Sequence, residues 1–596
     1  MKLRCIGDFS SWLLQNNPGN KTKDGWKIVP ELCPQGMTGD VTVNCFRFAG
    51  MFGKNPVQLA GEAAEYFRKH EDVKEAEAVK AFVNITLRPE ALYRDTVADL
   101  SALFAEGTLP EAERRRILIE YSAPNTNKPQ HLGHVRNNTI GMSLCSLLAR
   151  VGHTVIPINL VNDRGIHICK SMLAYQRYGN GSTPESTGIK GDHFVGDFYV
   201  KYNSVLSEEI RALRENDPST ASASDDELFL RTEIGAAAQK MLQDWEAGDP
   251  AVRELWKTMN SWVFAGFKQT YDRMGVHFHK TYLESQTYLL GKDLIARGLA
   301  DGVFQKREDG AVIADLGKLG TKVVLRSDGT SVYITQDIGT TLLKYQENHP
   351  DTQIWVVGDE QLLHFKMLFA ILSKLGFPWA SHLYHLAYGM VNLPSGKMKS
   401  REGTVVDADD LFDEMHELAR TATLERLNGA PEPEDLEERS EIIGMGALKF
   451  MLLKFNPKTT ILFDPQASLK FEGDTGPYVQ YACARINSIE RKSADQEKNA
   501  QPDWGLLEKE EERRLALLCA VYPDVLRSAA EKMDCSVLVS HLLEVAKAFN
   551  RFYRECPVLT AESGPLRHAR LALCYAVRDL LTDGLNTLTI QVPSAM

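Results

Sequence analysis

Apolar residues recur in several rhythms along the chain. Val41–Phe48 (VTVNCFRF) alternates apolar and polar positions as a strand does. Ala81–Leu87 repeats that alternation, setting Phe82, Asn84 and Thr86 opposite Ala81, Val83, Ile85 and Leu87. Between them Asn55-Pro56 predicts a helix start, with Asn as cap and Pro in the first turn, running through VQLAGEAAEYFRKH. Residues 1–110 therefore read as a small α+β domain.

From 111 to 405 strand-like and helical runs alternate, which predicts a parallel, Rossmann-like sheet. The strands are expected at Ile117–Tyr121, His153–Val161 and Ile354–Gly358, with a hairpin over Lys322–Thr335 that turns at Asp328-Gly329. A helix through EQLLHFKMLFAILSKLG should stop at Gly376. An insertion is expected around 180–260, with the Ser/Asp-rich Pro218–Glu227 as an exposed loop. Residues 406–470 read as a helical connection in which Asn428–Ser440 is loop. In 471–596 apolar residues fall three and four apart almost throughout, the mark of a helical bundle. The fold class is thus multidomain α/β and α.

Composition narrows this picture only at a few points. The 596 residues suffice for about four domains. With 43% hydrophobic and 25% charged residues, a disordered chain is excluded. No uncharged apolar run approaches the ~18–20 residues that span a bilayer, and MKLRCIGDFSSWLLQ lacks a secretory pattern. The net charge of −11 excludes a uniformly basic coat, though not local nucleic-acid binding. Ten cysteines without a C-x-x-C pair point to a reducing cytoplasm and no structural zinc.

Two segments carry chemistry. In Ile117–Gly141 a buried strand runs into a Pro/Asn/Lys loop, and His131-Leu132-Gly133-His134 then opens a helix. Free N–H groups and the dipole at such a helix start favour phosphate, and Gly133 permits close approach. His131 and His134, three apart, share a face and can donate to phosphate oxygens. Some 260 residues later, Gly389-Met390-Val391 precedes Ser395–Gly403, where Lys397, Lys399 and Arg401 put three cations in five residues. Such a basic loop suits a polyphosphate.

Together these segments resemble the HIGH and KMSKS signatures of class I aminoacyl-tRNA synthetases. The runs EYSAPNTNKPQHLGH, VVGDEQLLHF, FEGDTGPYVQYACARI and FNRFYRECPVL look like arginyl-tRNA synthetases, so the resemblance touches every block. It implies a ligase that activates L-arginine with ATP to arginyl-adenylate and transfers it to the 3′ end of tRNA(Arg), with bound tRNA needed for activation. Mg²⁺ would arrive with ATP, and the protein is expected to be cytoplasmic and monomeric.

The resemblance also implies roles. Lys128, His131, His134 and Lys397 would act on the triphosphate, and Gly133, Gly389, Met390, Val391, Lys399 and Arg401 would line the ATP site. Lys397-Met398-Lys399-Ser400-Arg401 departs from K-M-S-K-S by placing serine where the second lysine stands. This leaves the role of Lys399 open and favours Lys128 as substitute. Glu120, Asn125, Tyr333, Asp337 and Gln361 would hold arginine, whose permanently charged five-donor fork wants carboxylates. Structural alternatives stand beside these roles. Asp337 would complement a helix dipole, Tyr333 would be strand core, and Glu120 would pair with one of Arg114–Arg116. For tRNA, Phe82 and Asn84 would serve the elbow, and Tyr478, Tyr481, Tyr553 and Met596 the anticodon. No role emerges for Arg164 in NDRG (162–165). Another class I synthetase, or an inactive tRNA-binding paralogue, remains an alternative at this stage.

Overall fold

The computed structural model describes residues 1–17, 26–34, 36–220, 222–392, 394, 406–427, 431–493 and 501–596. Lys397, Lys399 and Arg401 lie outside the described residues.

The N-terminal block builds an antiparallel sheet in the order β1-β2-β4-β3 from β1 (Glu31–Leu32), β2 (Val41–Asn44), β3 (Val73–Val79) and β4 (Phe82–Leu87). Helix α1 (Pro56–Arg68) packs on it and is capped by the Asn55 side chain, as the sequence implied. The strand expected over Val41–Phe48 ends early. The Asn44 side chain accepts from Phe46 N at 3.1 Å and turns the chain into a short 3-10 helix, Cys45–Arg47.

The central core is a parallel sheet of β5 (Arg116–Glu120), β6 (Thr154–Val161), β7 (Lys280–Leu283), β8 (Thr352–Gly358) and β9 (Leu383–Tyr388). Its order is β9-β8-β5-β6-β7, every neighbouring pair parallel. The chain leaves β5 through α2 (Leu132–Arg150) to β6 on one side, whereas β8 pairs on the other. The carboxyl ends of β5 and β8 thus flank a topological switch point, where an open parallel sheet leaves a crevice for ligands. Between β6 and β7 the insertion contributes α3 (Gly191–Asn216) and α4 (Pro250–Met274). The segment Pro218–Glu227, expected as loop, includes a 3-10 turn and the start of a short helix, Asp225–Leu228, capped by Ser224.

The hairpin expected over Lys322–Thr335 is corrected. Its first strand, Thr321–Leu325, pairs backwards with Val312–Asp315, and the Asp328-Gly329 turn closes only as far as a Leu325–Ser331 bridge. Thr335 Oγ1 then accepts from Val332 N at 3.1 Å, starting α5 (Tyr333–Asn348). Tyr333 is therefore the first residue of a helix and 78% exposed, not strand core. Helix α6 (Leu362–Lys374) follows β8, and Gly376 beyond it has φ +82°.

Two antiparallel partners, α7 (Ala408–Arg426) and α8 (Leu436–Leu453), join the core to the bundle. Leu436–Ser440, expected as loop, is the first turn of α8, with Glu437 and Glu438 at its positive end. The bundle comprises α9 (Gly476–Lys492), α10 (Glu510–Lys532), α11 (Ser536–Glu555) and α12 (Gly564–Thr587). Its faces close over Cys483, Cys519 and Cys574, and all ten cysteines are free thiols. No helix of the described residues is long and apolar enough to cross a membrane.

Candidate active site at the switch point

Beyond β5 the backbone turns sharply. Ser122 takes φ 62°, a left-handed conformation that costs a non-glycine residue of order 1 kcal/mol. It is held there because Asn137 Oδ1 accepts from Ser122 N at 2.6 Å and the Ser122 hydroxyl meets the Tyr271 hydroxyl at 2.7 Å. Asn137 also donates to Val356 O (2.7 Å) and to the Tyr388 hydroxyl (3.1 Å). One side chain of α2 thereby ties the ends of β5, β8 and β9 together.

The start of α2 sets the state of both histidines. His131 Nδ1 accepts from Gly133 N, and His134 Nδ1 accepts from His131 N, each at 3.1 Å. An Nδ1 that accepts carries no proton, so each ring is neutral with its hydrogen on Nε2, where it serves as a donor. Burial pushes His131 down to about 4, with Lys128 adding to the shift. Burial holds the half-buried His134 well below the usual range, with His131 and Lys128 contributing. A Cβ on Gly133 would lie 2.9 Å from the His131 ring, so the folded-back imidazole requires glycine there. Lys128 is half-buried, its ammonium disfavoured by burial, and it bonds to no described side chain.

The second chemical segment returns to this helix at both of its described ends. Arg136, fully buried on α2, donates to Gly389 O (2.7 Å) and Met390 O (2.6 Å), and also to Pro457 O (3.1 Å) and Thr459 O (2.7 Å). Val391–Asn392 pairs in parallel with Ile461–Leu462. On the far side Leu132 N donates to Val406 O and Ala408 N to Gln130 O, each at 3.0 Å, framing a His131–Asp407 bridge. The limbs flanking residues 395–405 therefore both end on the segment that carries His131.

The residues expected to hold arginine occupy the crevice rim, with one difference. Asn125 is half-buried and bridges Asn162. Asp337 is half-buried and bonds His364 Nε2 at 2.6 Å, tying α5 to α6 just beyond the exposed Gln361. It sits in the second turn of α5, so this bond, rather than a dipole at the first turn, accounts for its place. Tyr333 lies one turn before Asp337 and shares its face. Glu120, however, is buried at the end of β5 and bonded to Lys344, itself 2% exposed, instead of Arg114–Arg116. One carboxylate oxygen is thus taken before any ligand arrives.

Sequence reasoning missed Glu284. It is half-buried, and burial raises its carboxyl to about 7, with Arg164 opposing and Asp163 and Asp337 adding to the rise. Its neighbour Ser285 is pinned by Asp163 through both N (2.8 Å) and Oγ (2.6 Å). Arg164, left without a role above, lies over the Tyr288 ring at 4.0 Å and bonds Glu246 at 2.6 Å. An acid in a four-residue helix after a short strand carries no periodic signal, so only the fold reveals its burial and its charged surroundings.

The expected tRNA residues are dispersed. Phe82 is half-buried and edge-on to the exposed Phe46, whereas Asn84, expected to touch the elbow, is buried beside Gly39. On the bundle, Tyr481 and Tyr553 flank Arg485, whose guanidinium is 4.6 and 4.9 Å from their rings. The Arg426 guanidinium also lies over Tyr481 (4.6 Å) and Phe471 (4.2 Å). Tyr478 is half-buried, and Met596 packs half-buried against the bundle.

Comparison with known proteins finds family models along most of the chain. Residues 99–464 match the catalytic domain of class I tRNA synthetases (R). Residues 479–596 match the DALR anticodon binding domain, and 20–87 the arginyl tRNA synthetase N terminal domain. An arginine–tRNA ligase of Parabacteroides distasonis is 44% identical over 568 residues, covering 94% of each chain. One of Treponema denticola is 42% identical, covering 96% of each. Among solved structures, arginyl-tRNA synthetase of Thermus thermophilus superposes with a TM-score of 0.76 at 26% identity over the whole of both chains.

Proposed function

The chain belongs to the arginyl-tRNA synthetases of class I, and from that membership we propose that the switch-point crevice is where arginine meets ATP. The protein is an ATP-dependent ligase that activates arginine and charges tRNA. The observation that carries the residue assignment is the double return of the 389–408 stretch to α2, through Arg136 at one limb and the His131–Asp407 bridge at the other.

In this reading the Nε2–H groups of His131 and His134 and the ammonium of Lys128 bind triphosphate oxygens. Lys397 joins them from outside the described residues, and Gly133, Gly389, Met390 and Val391 shape the nucleotide site. Neutral donors suit the task, because they stabilise developing phosphate charge without a proton transfer. Asp337, Glu284 and the free oxygen of Glu120 face the guanidinium, with Tyr333, Asn125 and Gln361 beside it. A lysine would leave these acids incompletely paired, which supports discrimination by several powers of ten. The arginine carboxylate attacks the α-phosphate and pyrophosphate leaves. The 3′-terminal adenosine hydroxyl then attacks the adenylate carbonyl and AMP leaves. No side chain is a nucleophile, and the protein orients and stabilises charge.

Mg²⁺ enters on the phosphates. Asp407, the acid beside His131, is already engaged by His193 and two backbone amides and is not spare as a ligand. The Phe46–Phe82 edge serves the tRNA elbow, and the Tyr481–Arg485–Tyr553 cluster with Met596 serves the anticodon. Residues 1–110, 111–405, 406–470 and 471–596 divide elbow, catalytic, connecting and anticodon functions in a cytoplasmic monomer.

Arginine-dependent ATP–pyrophosphate exchange, measured with and without tRNA, tests the reading. Exchange with arginine that requires tRNA is the expected result. Exchange with lysine or cysteine overturns the pocket assignment, and tight tRNA binding without exchange leaves only an inactive tRNA binder.

A further inference from the structure

The insertion supplies a third support to the His131 segment. Helix α3 lies directly on the Lys128–Pro129 loop: a Cβ on Gly196 would sit 2.8 Å from Pro129 Cδ and 3.6 Å from Lys128 Cα. One turn earlier His193 reaches the returning limb, with Nε2 2.9 Å from Asp407 Oδ2. The other oxygen of Asp407 accepts from Asp409 N (2.8 Å) and Asp410 N (3.3 Å) and caps α7. Asp407 thus receives three donors while its backbone bridges His131. Beneath it, Lys190 bonds Asp192, Thr270 and Asp409, anchoring the start of α3 to α4 and α7. Asp192, His193 and Asp409 lie close enough to surround a cation, but the Lys190 ammonium already supplies that charge.

We infer that His193 is a positioning residue for adenylate formation, holding Asp407 and the returning limb in register against Lys128 and His131. The inference rests on the reading that this segment binds the triphosphate. Two physical consequences favour it. The bond fixes the 406–408 segment to α3, which packs on the Lys128–Pro129 loop, where that segment and residues 130–132 are otherwise joined by the two backbone hydrogen bonds Leu132–Val406 and Gln130–Ala408. It also keeps a carboxylate beside an anion site directed at a partner, where an unpartnered one would repel phosphate. The three elements enclose a cavity of about 170 Å³ lined by Lys128, His131, His193 and Asp407, so a shift of α3 is felt at the phosphate cations.

His193→Ala and His193→Gln separate positioning from general structure, because the glutamine amide donates to the same carboxylate. In His193→Ala the amides of Leu132 and Ala408 should exchange hydrogen about tenfold faster, as expected for losing one charge-assisted bond. In aminoacylation the KM for ATP should rise about tenfold while that for arginine stays within about twofold. Glutamine should restore both. Unchanged exchange at Leu132 and Ala408 in the alanine variant overturns the inference. Equal impairment by glutamine with faster exchange throughout α3 overturns it as well. If the wild type failed to use arginine and ATP, the functional reading would fall, and the exchange experiment would still decide the role of His193.

Discussion

The guanidinium of Arg136 donates to the carbonyl of Met390 at 2.6 Å, joining the helix that opens at His131 to the backbone just ahead of Val391–Asn392, 254 positions away. The arginine is fully buried, and the hydrogen bonds it makes among the described residues all go to carbonyl oxygens. Burial lowers its ordinary pKa to about 10, which still leaves it charged. A planar five-donor fork serves several acceptors at once, and an ammonium would not reach the same set.

Arg136→Met should therefore leave four carbonyls without this donor and lower stability by about 3 kcal/mol or more. ATP–pyrophosphate exchange should fall far more than tRNA affinity, since the lost bonds hold the Gly389–Met390 backbone beside the proposed nucleotide site. Thermal denaturation and exchange assays on one preparation check both halves.

The buried Glu120–Lys344 pair makes a sharper case. Lys344→Met alone strands a carboxylate in the core and should cost about 3–5 kcal/mol. Glu120→Gln/Lys344→Met should recover most of that stability while raising the KM for arginine. A double-mutant cycle in urea, with kinetics on each variant, measures the pair and its second task.

Glu284 predicts a pH effect on substrate. Its carboxyl, raised to about 7 by burial, is partly protonated near neutrality in the empty site. A guanidinium favours the ionised form, so binding expels the proton, and the KM for arginine should climb as pH falls from 7 to 5. Glu284→Gln should raise KM at pH 8 and flatten this dependence.

The two neutral histidines predict an effect on stability. Burial lowers His131 to about 4 and His134 well below its usual range, so between those values and 6.5 the unfolded chain binds more protons. Their contribution is complete above about pH 6.5 and is lost as pH drops toward 4. His134→Asn keeps an acceptor for the His131 amide without a titrating ring. The urea midpoint of that variant should be less sensitive between pH 7 and 5.

Periodicity by itself determined the architecture. Parallel strands buried on both faces read as unbroken apolar runs such as Ile117–Ile119, and bundle helices bury residues at three- and four-residue spacing. The helix start at His131–His134 was equally legible, because His131, Gly133 and His134 bond within their own turn. What needed the tertiary structure was every pairing across distance. Lys344 with Glu120, Arg136 with Met390 and His193 with Asp407 join residues far apart in the chain, where no local spacing encodes the contact. Tyr333 shows the same limit on a small scale. Its alternating neighbours read as a strand, and the Thr335 cap together with the paired edge of the preceding strand turned them into a helix, because side-chain hydrogen bonds outweigh a weak local preference.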